Sequence, residues 1–496
     1  MNTIEFKYMC KQFLEGFSLD KLRAYGREIG VDKPTKDKKK QVLIEEIVAV
    51  LAGEVAPQLP SLRGAPVKND FVDPKIQEGI KRLRMMSASN GESEQLSEYK
   101  KNVQQLKKNP HVLMVEDPNA DELRKKPERE LYRGQLETLN GVSMLLPLNC
   151  MDSDKRVIIS VDTIRMYDLR EGDMISCYAE KRQTMMVATV ILTVNDYMVD
   201  SFKRGEFDEK TVCYPKEQIT FYNKEQGTTS GKMLQWLMPI GLGQRGLVLA
   251  PPKTGKTSLI ADMHKSATLH NPGVWVYSLL IDQAPETVAY FRKIYGKENV
   301  LYTTYEDSPE RQVFVADFIL RRAKRMAECG LHVILLVDSL NALARAYNDT
   351  DASAGGKVLA GGMESKTVQY LKRYFGTARC FENGGSLTIV GALCTDTGNP
   401  ADDILKSELM PIANLELCLS EELAKQRLFP AFDLLKSRGK LENALEGTKE
   451  DQLGRFIRNQ YLPTFGWEGV LDLFKNYTKL RDLEESAIEN MKKNHQ

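Results

Sequence analysis

The sequence lacks long apolar runs, and its positive and negative charges nearly cancel. No run approaches the ~18 consecutive apolar residues that a membrane helix needs, so we expect no membrane partner. The N-terminus mixes charges into every short window, so we expect no secretory signal peptide. The formal net charge of +1 gives no global field that would attract nucleic acid. Any RNA or DNA site must therefore be a local patch.

The sequence also lacks cysteine motifs. Its eight cysteines are scattered, without a C-x-x-C pair or a Cys/His spacing suited to zinc. We therefore expect reduced thiols and a cytoplasmic location. These cysteines are Cys10, Cys150, Cys177, Cys213, Cys329, Cys380, Cys394 and Cys418.

At 496 residues the chain is too long for one core, and its composition is that of a globular protein. Residues 15–53 show two helical patterns of apolar residues around a basic turn at 33–40. That turn could contact phosphate, although such a charge run is usually a solvated face. Residues 54–73 have the composition of a linker, and 75–130 that of partly disordered or surface-helical sequence.

From about residue 133 the apolar residues alternate with period two, which predicts short strands. Short, evenly spaced strands favour a small antiparallel barrel, and a sandwich is the alternative. The predicted strands are 157–161, 185–194 and 219–222, with turns at Gly172-Asp173 and Asn195-Asp196.

From Met238 the pattern becomes that of an α/β domain. Buried-type strands alternate with helical segments, which predicts a parallel sheet covered by helices and followed by a helical C-terminus. The predicted strands are 246–250, 274–281, 332–337 and 387–394, and the predicted helices are 257–268, 285–295, 309–329 and 362–381.

A strand, a Pro/Gly turn and a helix meet around Gly255-Lys256-Thr257. This is the setting of a P-loop, whose backbone N–H groups and helix N-terminus face nucleotide phosphates. Lys256 would reach the β and γ phosphates, and the Thr257 hydroxyl would ligate Mg²⁺. Ala250 stands where the motif has its first Gly, and a strand–turn–helix without that function is the alternative. The predicted phosphate-binding residues are Pro252, Lys253, Thr254, Gly255, Lys256, Thr257 and Ser258.

A second apolar strand, 332–337, ends in Asp338. A carboxylate there can hold Mg²⁺ through its water shell, as a Walker B Asp does. An Asp that caps the following helix is the alternative interpretation. Together with the P-loop, Asp338 predicts a nucleotide site that binds ATP and Mg²⁺.

The sequence around these residues resembles the bacterial transcription termination factor Rho family. That family's P-loop also starts with Ala, so Ala250 agrees with the resemblance. The similarity covers roughly 230–445, and it extends more weakly to 15–53 and 135–222, whereas 75–130 has no counterpart. The matching blocks are Met238–Gly246, Ala250–Thr257, Leu343–Asn348, Gly356–Gly362, Lys372–Arg379, Gly384–Ile389 and Arg427–Ala431.

The resemblance implies a multidomain chain with a RecA-like α/β P-loop ATPase domain and a helical C-terminus. It would form a hexameric ring that binds RNA in its central channel and acts on RNA polymerase. By position, Lys256, Asp338 and Arg427 would serve ATP hydrolysis, with Arg427 reaching across a subunit interface. Lys357, Lys372 and Arg373 would contact RNA. The predicted domains are an N-terminal helical subdomain (1–53), a linker and charged insertion (54–132), an OB-like barrel (133–225) and the ATPase domain (226–496).

Several catalytic positions depart from the family pattern. Gln283 stands where the family has its catalytic Glu, and an amide can orient the attacking water but cannot accept its proton. Ala284 replaces the Arg that follows. Lys440 falls near a second interface Arg of the family and lacks the bidentate fork, although Arg438 could serve instead.

The RNA sites depart as well. The barrel stretch 141–146 has no aromatic ring where the family has a stacking run, and each such platform is worth ~1–3 kcal/mol. The channel loop 396–400 ends in Pro where the family has Lys. Two hypotheses follow: an RNA-dependent ATPase and translocase that ends transcription, or an ATP-binding ring subunit with little hydrolysis. An ATPase acting on DNA or another protein fits these blocks less well.

Overall fold

The computed structural model describes most of the chain and divides it into two compact units, Met1–Pro127 and Glu128–Gln496. Residues 32–38, most of 53–128 and Lys440 lie outside the described part. The described ranges are 3–31, 39–52, 54–55, 57, 73, 75–77, 79–80, 129–150, 156–182, 185–199, 204–223, 226–350, 357–382, 384–439 and 448–494.

The first unit is helical, as predicted. Its helices are α1 (Thr3–Glu15), α2 (Leu19–Glu28) and α3 (Lys40–Leu51). Their apolar faces bury Leu14, Leu22, Leu43 and Ile47 in one core. The predicted helical pattern began at residue 15 and therefore missed α1. The basic turn at 33–40 and the charged segment 75–130 fall almost wholly outside the described residues.

The second unit opens with a small closed barrel, which confirms the predicted OB-like fold. Its strands follow the order β3-β2-β1-β4-β5, and a pairing of β3 with β5 closes the ring. The predicted turns at Gly172 and Asn195-Asp196 are present. The elements are β1 (Arg129–Leu139), β2 (Val142–Leu146), β3 (Val157–Ile158), α4 (Val161–Met166), β4 (Met174–Arg182), β5 (Met185–Val194) and β6 (Tyr197–Met198).

One predicted strand is wrong. Residues 219–222 form no strand, and only an isolated bridge joins Gln218 to Gly241. Ile219, Phe221 and Tyr222 are nevertheless buried in the core of the following α/β domain. These apolar residues are buried because an irregular segment packs on the core. An alternating apolar pattern predicts burial, but it does not provide a neighbouring strand to pair with. The predicted strand 157–161 also ends early, since Ser160 caps α4 by accepting from the Thr163 N–H.

The α/β domain contains a mixed sheet whose predicted strands are all present. These strands are β8 (Arg245–Ala250), β9 (Val274–Gln283), β11 (His332–Asp338) and β13 (Ser386–Cys394). The remaining strands, which the sequence analysis did not predict, are β7 (Val212–Cys213), β10 (Val300–Thr304), β12 (Arg379–Phe381), β14 (Leu415–Cys418) and β15 (Arg438–Gly439).

The strand order β10-β9-β11-β13-β8-β14 is parallel throughout. The carboxyl ends of β8, β9 and β11 therefore open at one edge of the sheet, which is where ligands of open α/β sheets bind. Leu247, Leu249, Val333 and Leu335 are fully or almost fully buried between the sheet and its helices. The apolar, β-branched composition of the strands reflects burial on both faces.

Helices cover the sheet and form the C-terminus, as predicted, but the predicted helix 362–381 spans only Ser365–Gly376, and its last residues form β12. No helix of the described residues is long and apolar enough to cross a membrane. The helices are α5 (Thr229–Trp236), α6 (Lys256–His270), α7 (Pro285–Tyr295), α8 (Pro309–Glu328), α9 (Leu340–Asn348), α10 (Ser365–Gly376), α11 (Pro400–Leu409), α12 (Glu421–Lys425), α13 (Lys449–Phe456), α14 (Leu462–Asn476) and α15 (Leu480–Asn494).

The barrel is joined to α8 by buried polar contacts. Arg322 is fully buried, and its guanidinium donates to Gln135 Oε1 at 2.8 Å and to the Leu148 carbonyl. Gln135 in turn donates to the Phe318 carbonyl at 2.7 Å. Buried polar groups persist only when they are hydrogen-bonded, so these contacts fix the barrel on the α/β domain.

A buried histidine makes stability depend on pH. His264 of α6 is fully buried, its Nδ1 lies 2.7 Å from Ser278 Oγ, and its ring stacks on Tyr295. Burial lowers the pKa of His264 to about 3. The unfolded chain binds a proton near pH 6.5 and the folded chain only near 3, so stability is lost as pH falls through this window.

We expect this histidine to cost about 2 kcal/mol of unfolding free energy between pH 6.5 and 5. His264→Asn keeps a polar partner for Ser278 but does not titrate, so its unfolding free energy falls less over that interval. Urea denaturation of both proteins at several pH values measures the difference. Equal slopes for wild type and variant would contradict the assignment.

Candidate nucleotide-binding site

The P-loop joins β8 to α6 at the carboxyl edge of the sheet. Lys253 and Gly255 both have left-handed backbone, with φ of 63° and 89°. Thr254 is buried, and its Oγ1 donates to the Pro251 carbonyl at 2.7 Å, which ties the loop together. Alternation of ordinary and left-handed residues turns successive N–H groups into a concave anion-binding nest. The loop thus places its N–H groups at the N-terminus of α6, where the helix dipole also favours anions.

Lys256 and Thr257, the first two residues of α6, converge on Asp338. Thr257 Oγ1 donates to Asp338 Oδ2 at 2.6 Å, and Lys256 Nζ lies 2.9 Å from Oδ1. Asp338 is fully buried at the end of β11. The structure therefore brings together the lysine, hydroxyl and carboxylate that the sequence analysis selected from two separate motifs.

Gln283 lies beside this carboxylate. It ends β9, the strand next to β11, and its Nε2 donates to the Asp338 carbonyl oxygen at 3.3 Å. The preceding residue, Asp282, has a left-handed φ of 57°, which Asp tolerates better than most residues. Gln283 thus lies next to Asp338, and its amide is engaged as a donor to the backbone.

A cavity of about 400 Å³ adjoins the P-loop. It is lined by Thr254 and Gly255 on the loop, by Asp262 on α6, and by Phe429 and Pro430. Phe429 is 46% exposed, and a Cβ on Gly255 would lie 3.2 Å from its ring, so the ring lies against the loop. A half-exposed aromatic ring beside a phosphate nest suits a planar base. In the sequence, Phe429 stands only within a matching block, and no motif gives it a role.

The predicted interface arginines differ in their surroundings. Arg427 is exposed, two residues before Phe429, and has a left-handed φ of 60°. Arg438 is bound within its own chain, because Nε and NH2 donate to the two carboxylate oxygens of Glu416 at 3.0 and 3.1 Å. Lys440 lies outside the described residues. Both arginine side chains are exposed, but the guanidinium of Arg438 is already paired with Glu416.

The predicted RNA-contacting residues lie on two segments. Lys357 is exposed just after 351–356, which lie outside the described part. Lys372 and Arg373 are consecutive on α10, so their side chains leave the helix about 100° apart. Lys372 Nζ pairs with Glu408 Oε2 at 2.7 Å, whereas Arg373 is exposed.

A hydrogen-bonded network around the buried Asn341 and Asp402 holds the loop 396–400, and no sequence pattern predicted it. Asn341 Nδ2 donates to Asp402 Oδ1 and Thr397 Oγ1 donates to Asp402 Oδ2, both at 2.7 Å. Asn341 also accepts from the Cys394 N–H at 2.6 Å, at the end of β13. The network links this loop to the strand between β8 and β11. No local motif marks it, because its members come from three separate elements.

Comparisons with known proteins agree with this geometry. The family model described as ATP synthase alpha/beta family, nucleotide-binding domain, matches residues 231–439. Transcription termination factor Rho of Karelsulcia muelleri is 37% identical over 303 residues, which cover 60% of this chain and 79% of the relative. The chain belongs to the Rho family. The Rho proteins of Bacillus subtilis (34% identical, 73% and 81% covered) and Escherichia coli (33%, 68% and 81%) are similar to it as well.

Membership in the Rho family confirms the predicted resemblance, and its nucleotide-binding domain implies ATP binding. The matched segment 231–439 contains the P-loop, Gln283, Asp338 and Arg427. Gln283, which stands where the Rho family is expected to have a catalytic Glu, therefore lies inside the nucleotide-binding domain.

Proposed function

We propose that this chain is a Rho-type, RNA-dependent ATPase that translocates along RNA and terminates transcription by releasing the transcript from RNA polymerase. The main support is that Lys256 and Thr257 both contact the buried Asp338 at the carboxyl edge of the sheet. Its relatives are named transcription termination factors.

ATP binding uses the P-loop and the adjoining cavity. The backbone N–H groups between Lys253 and Lys256 hold the phosphates, and the Lys256 ammonium offsets their charge. The cavity beside Phe429 takes the base, because an aromatic face offers stacking without specific hydrogen bonds.

The residues around Asp338 fit Mg²⁺. The carboxylate and the Thr257 hydroxyl supply hard oxygen atoms 2.6 Å apart. Asp338 Oδ1 is buried, and among the described residues it accepts no hydrogen bond of good geometry, although Lys256 Nζ is 2.9 Å away. That oxygen keeps a lone pair for a cation. When bound, Mg²⁺ would neutralise phosphate charge at these two residues.

Ring assembly places Arg427 at a neighbour's phosphates. Its exposed side chain and left-handed backbone project it from the segment that also carries Phe429. An arginine supplied across an interface stabilises charge in the transferring phosphoryl group. We propose a homo-oligomeric ring, hexameric as the Rho resemblance implies, with Lys357, Lys372 and Arg373 toward RNA.

A second function is favoured by Gln283. Its amide donates to the Asp338 carbonyl and cannot accept a proton, so the site lacks a general base at that position. Strand β2 of the barrel also offers no ring to stack on, because it has no aromatic residue and buries Leu145 and Leu146. The alternative is an ATP-binding ring subunit that hydrolyses slowly or not at all and regulates a ring.

The decisive experiment measures ATP binding and phosphate release by the purified full chain, with and without single-stranded C-rich RNA. We expect RNA-stimulated release that Lys256→Ala lowers by about 10²-fold or more, because it removes the phosphate-binding ammonium. Lys265→Ala, an exposed lysine on the same helix, is the matched control and should leave release unchanged. Bound ATP without any RNA-stimulated release would reject the translocase and support the alternative.

A further inference from the structure

Two cysteines lie directly opposite each other where the segment after the barrel meets the sheet. Cys213 of β7 and Cys380 of β12 are partners in an antiparallel ladder, next to Val212 and Phe381. Directly opposite residues of such a ladder present their side chains on the same face. Both thiols are free and half-buried. Burial, and then a hydrogen bond with the Cys213 thiol, raise the pKa of Cys380 to about 12.

The ladder geometry suits a covalent bridge. Opposite Cα atoms on antiparallel strands are about 4.5–5.5 Å apart. A disulfide spans Cα separations of about 4.4–6.8 Å, so no backbone rearrangement is required. We propose that Cys213 and Cys380 form a reversible disulfide, which makes this junction a redox-sensitive modification site.

The register of the ladder fixes which kind of pair the two cysteines form. The Glu382 N–H donates to the Thr211 carbonyl at 3.1 Å, so this opposite pair is a hydrogen-bonded one. Pairs alternate along a ladder, and Cys380 and Cys213, two residues further, are again a hydrogen-bonded pair. The Cβ atoms are further apart at such pairs than at the intervening ones. The Cα separation of about 5.5 Å at such a pair is still an ordinary one for a disulfide. Both cysteines are only half-buried, and exposed disulfides are among the more readily reduced ones.

The oxidant is a peroxide or a small-molecule disulfide. With hydrogen peroxide, the Cys213 sulfur attacks one oxygen, the O–O bond breaks, and a sulfenic acid and water form. The Cys380 sulfur then displaces the hydroxyl group, so the S–S bond forms, the S–O bond breaks and a second water leaves. With oxidised glutathione, Cys213 forms a mixed disulfide and Cys380 displaces the second glutathione thiol.

The bridge lies at the opposite end of the sheet from the nucleotide site. Cys380 pairs with Ser386 at the start of β13, whereas the end of that strand pairs with Ala250 before the P-loop. Eight residue steps along β13 separate these positions by about 26 Å. The bridge therefore ties β7 to the sheet, where Arg379 already pairs with Asp208 at 3.3 Å, without touching the phosphate-binding residues.

The test oxidises the reduced full chain with oxidised glutathione, and in a parallel sample with hydrogen peroxide, followed by blocking of free thiols and peptide mass spectrometry. We expect the Cys213–Cys380 linked peptides to exceed any other cysteine pair by about tenfold or more, because neighbouring thiols have a high effective concentration. Excess reduced glutathione should release the link, and ATP affinity should change less than about twofold.

Cys213→Ser and Cys380→Ser should each abolish the link while leaving the other thiol free or glutathione-capped. Cys418→Ser, which replaces a half-buried thiol on β14, is the matched control and should retain the link. Separate glutathione adducts on Cys213 and Cys380, predominance of another pair, or full recovery of both free thiols after oxidation would overturn the proposal.

Discussion

Gln283→Glu is expected to raise the rate of ATP turnover by about 10²-fold or more. The substitution puts a carboxylate at the end of β9, beside the strand that carries Asp338. A positioned general base contributes about 10²–10⁴ in rate, and an amide at the same place cannot take the proton of the attacking water. Phosphate release with saturating ATP and RNA measures the gain.

Gln283→Glu supplies a proton acceptor and also removes a hydrogen bond that Gln283 makes to the backbone. The amide Nε2 donates to the Asp338 carbonyl at 3.3 Å, and a carboxylate has no proton to make this bond. The side chain is then repelled by that carbonyl and freed to meet water near the phosphates. The gain should also bring a new acidic limb to the pH–rate profile, because only the unprotonated carboxylate acts as a base.

Two controls separate this effect from a mere loss of the amide. Gln283→Ala removes the same hydrogen bond without supplying a base, and it should produce no gain. The double variant with Lys256→Ala should be inactive, which locates the new activity at this P-loop. Unchanged turnover in Gln283→Glu, with ATP still bound, would show that the missing base does not limit the rate.

The phosphate site could be predicted from sequence because its parts are local. The P-loop is contiguous, and Asp338 ends a strand whose apolar run is unambiguous. Parallel strand order then brings both to one edge, so their meeting follows from the fold class. The family resemblance added Arg427 and identified Gln283 as a departure, although no local pattern gives either residue a role.

Other features depend on packing that no local pattern encodes. The apolar residues Ile219 and Phe221 suggested a strand, yet they pack irregularly in the core without a ladder. The ion pair of Arg438 with Glu416 requires the antiparallel pairing of β15 with β14. The opposition of Cys213 and Cys380 joins positions 167 residues apart, counted as 380 minus 213, through a register that the sequence does not display.

The largest expected effect on stability comes from Arg322→Ala, which we expect to lower the unfolding free energy by about 3–5 kcal/mol. Arg322 of α8 is fully buried against the barrel, and its guanidinium stacks over the rings of Tyr277 and Phe318. Truncation leaves a cavity and strips Gln135 Oε1 and the Leu148 carbonyl of a donor. Truncation of a large buried side chain typically lowers the unfolding free energy by about this much. Each buried acceptor left without a donor lowers it by about 1–3 kcal/mol more.

Chemical denaturation of the full chain measures the loss, and amide hydrogen exchange in α8 and β1 locates it. Arg481→Ala is the matched control, because that arginine is 81% exposed and pairs only with Glu485 among the described residues. Exposed ion pairs contribute about 0–1 kcal/mol, so the control should be close to wild type. An Arg322→Ala protein equal in stability to this control would show that the barrel is not held by Arg322.

Arg322→Met then separates packing from hydrogen bonding. Methionine fills much of the same volume and removes a buried charge, whose desolvation opposes folding. If the cavity dominates, Arg322→Met should recover most of the stability that Arg322→Ala loses. If the hydrogen bonds to Gln135 and Leu148 dominate, the methionine protein should stay about 2 kcal/mol or more below wild type, since two buried acceptors remain unpaired. We expect the second result, because Gln135 also holds the Phe318 carbonyl and its orientation depends on Arg322.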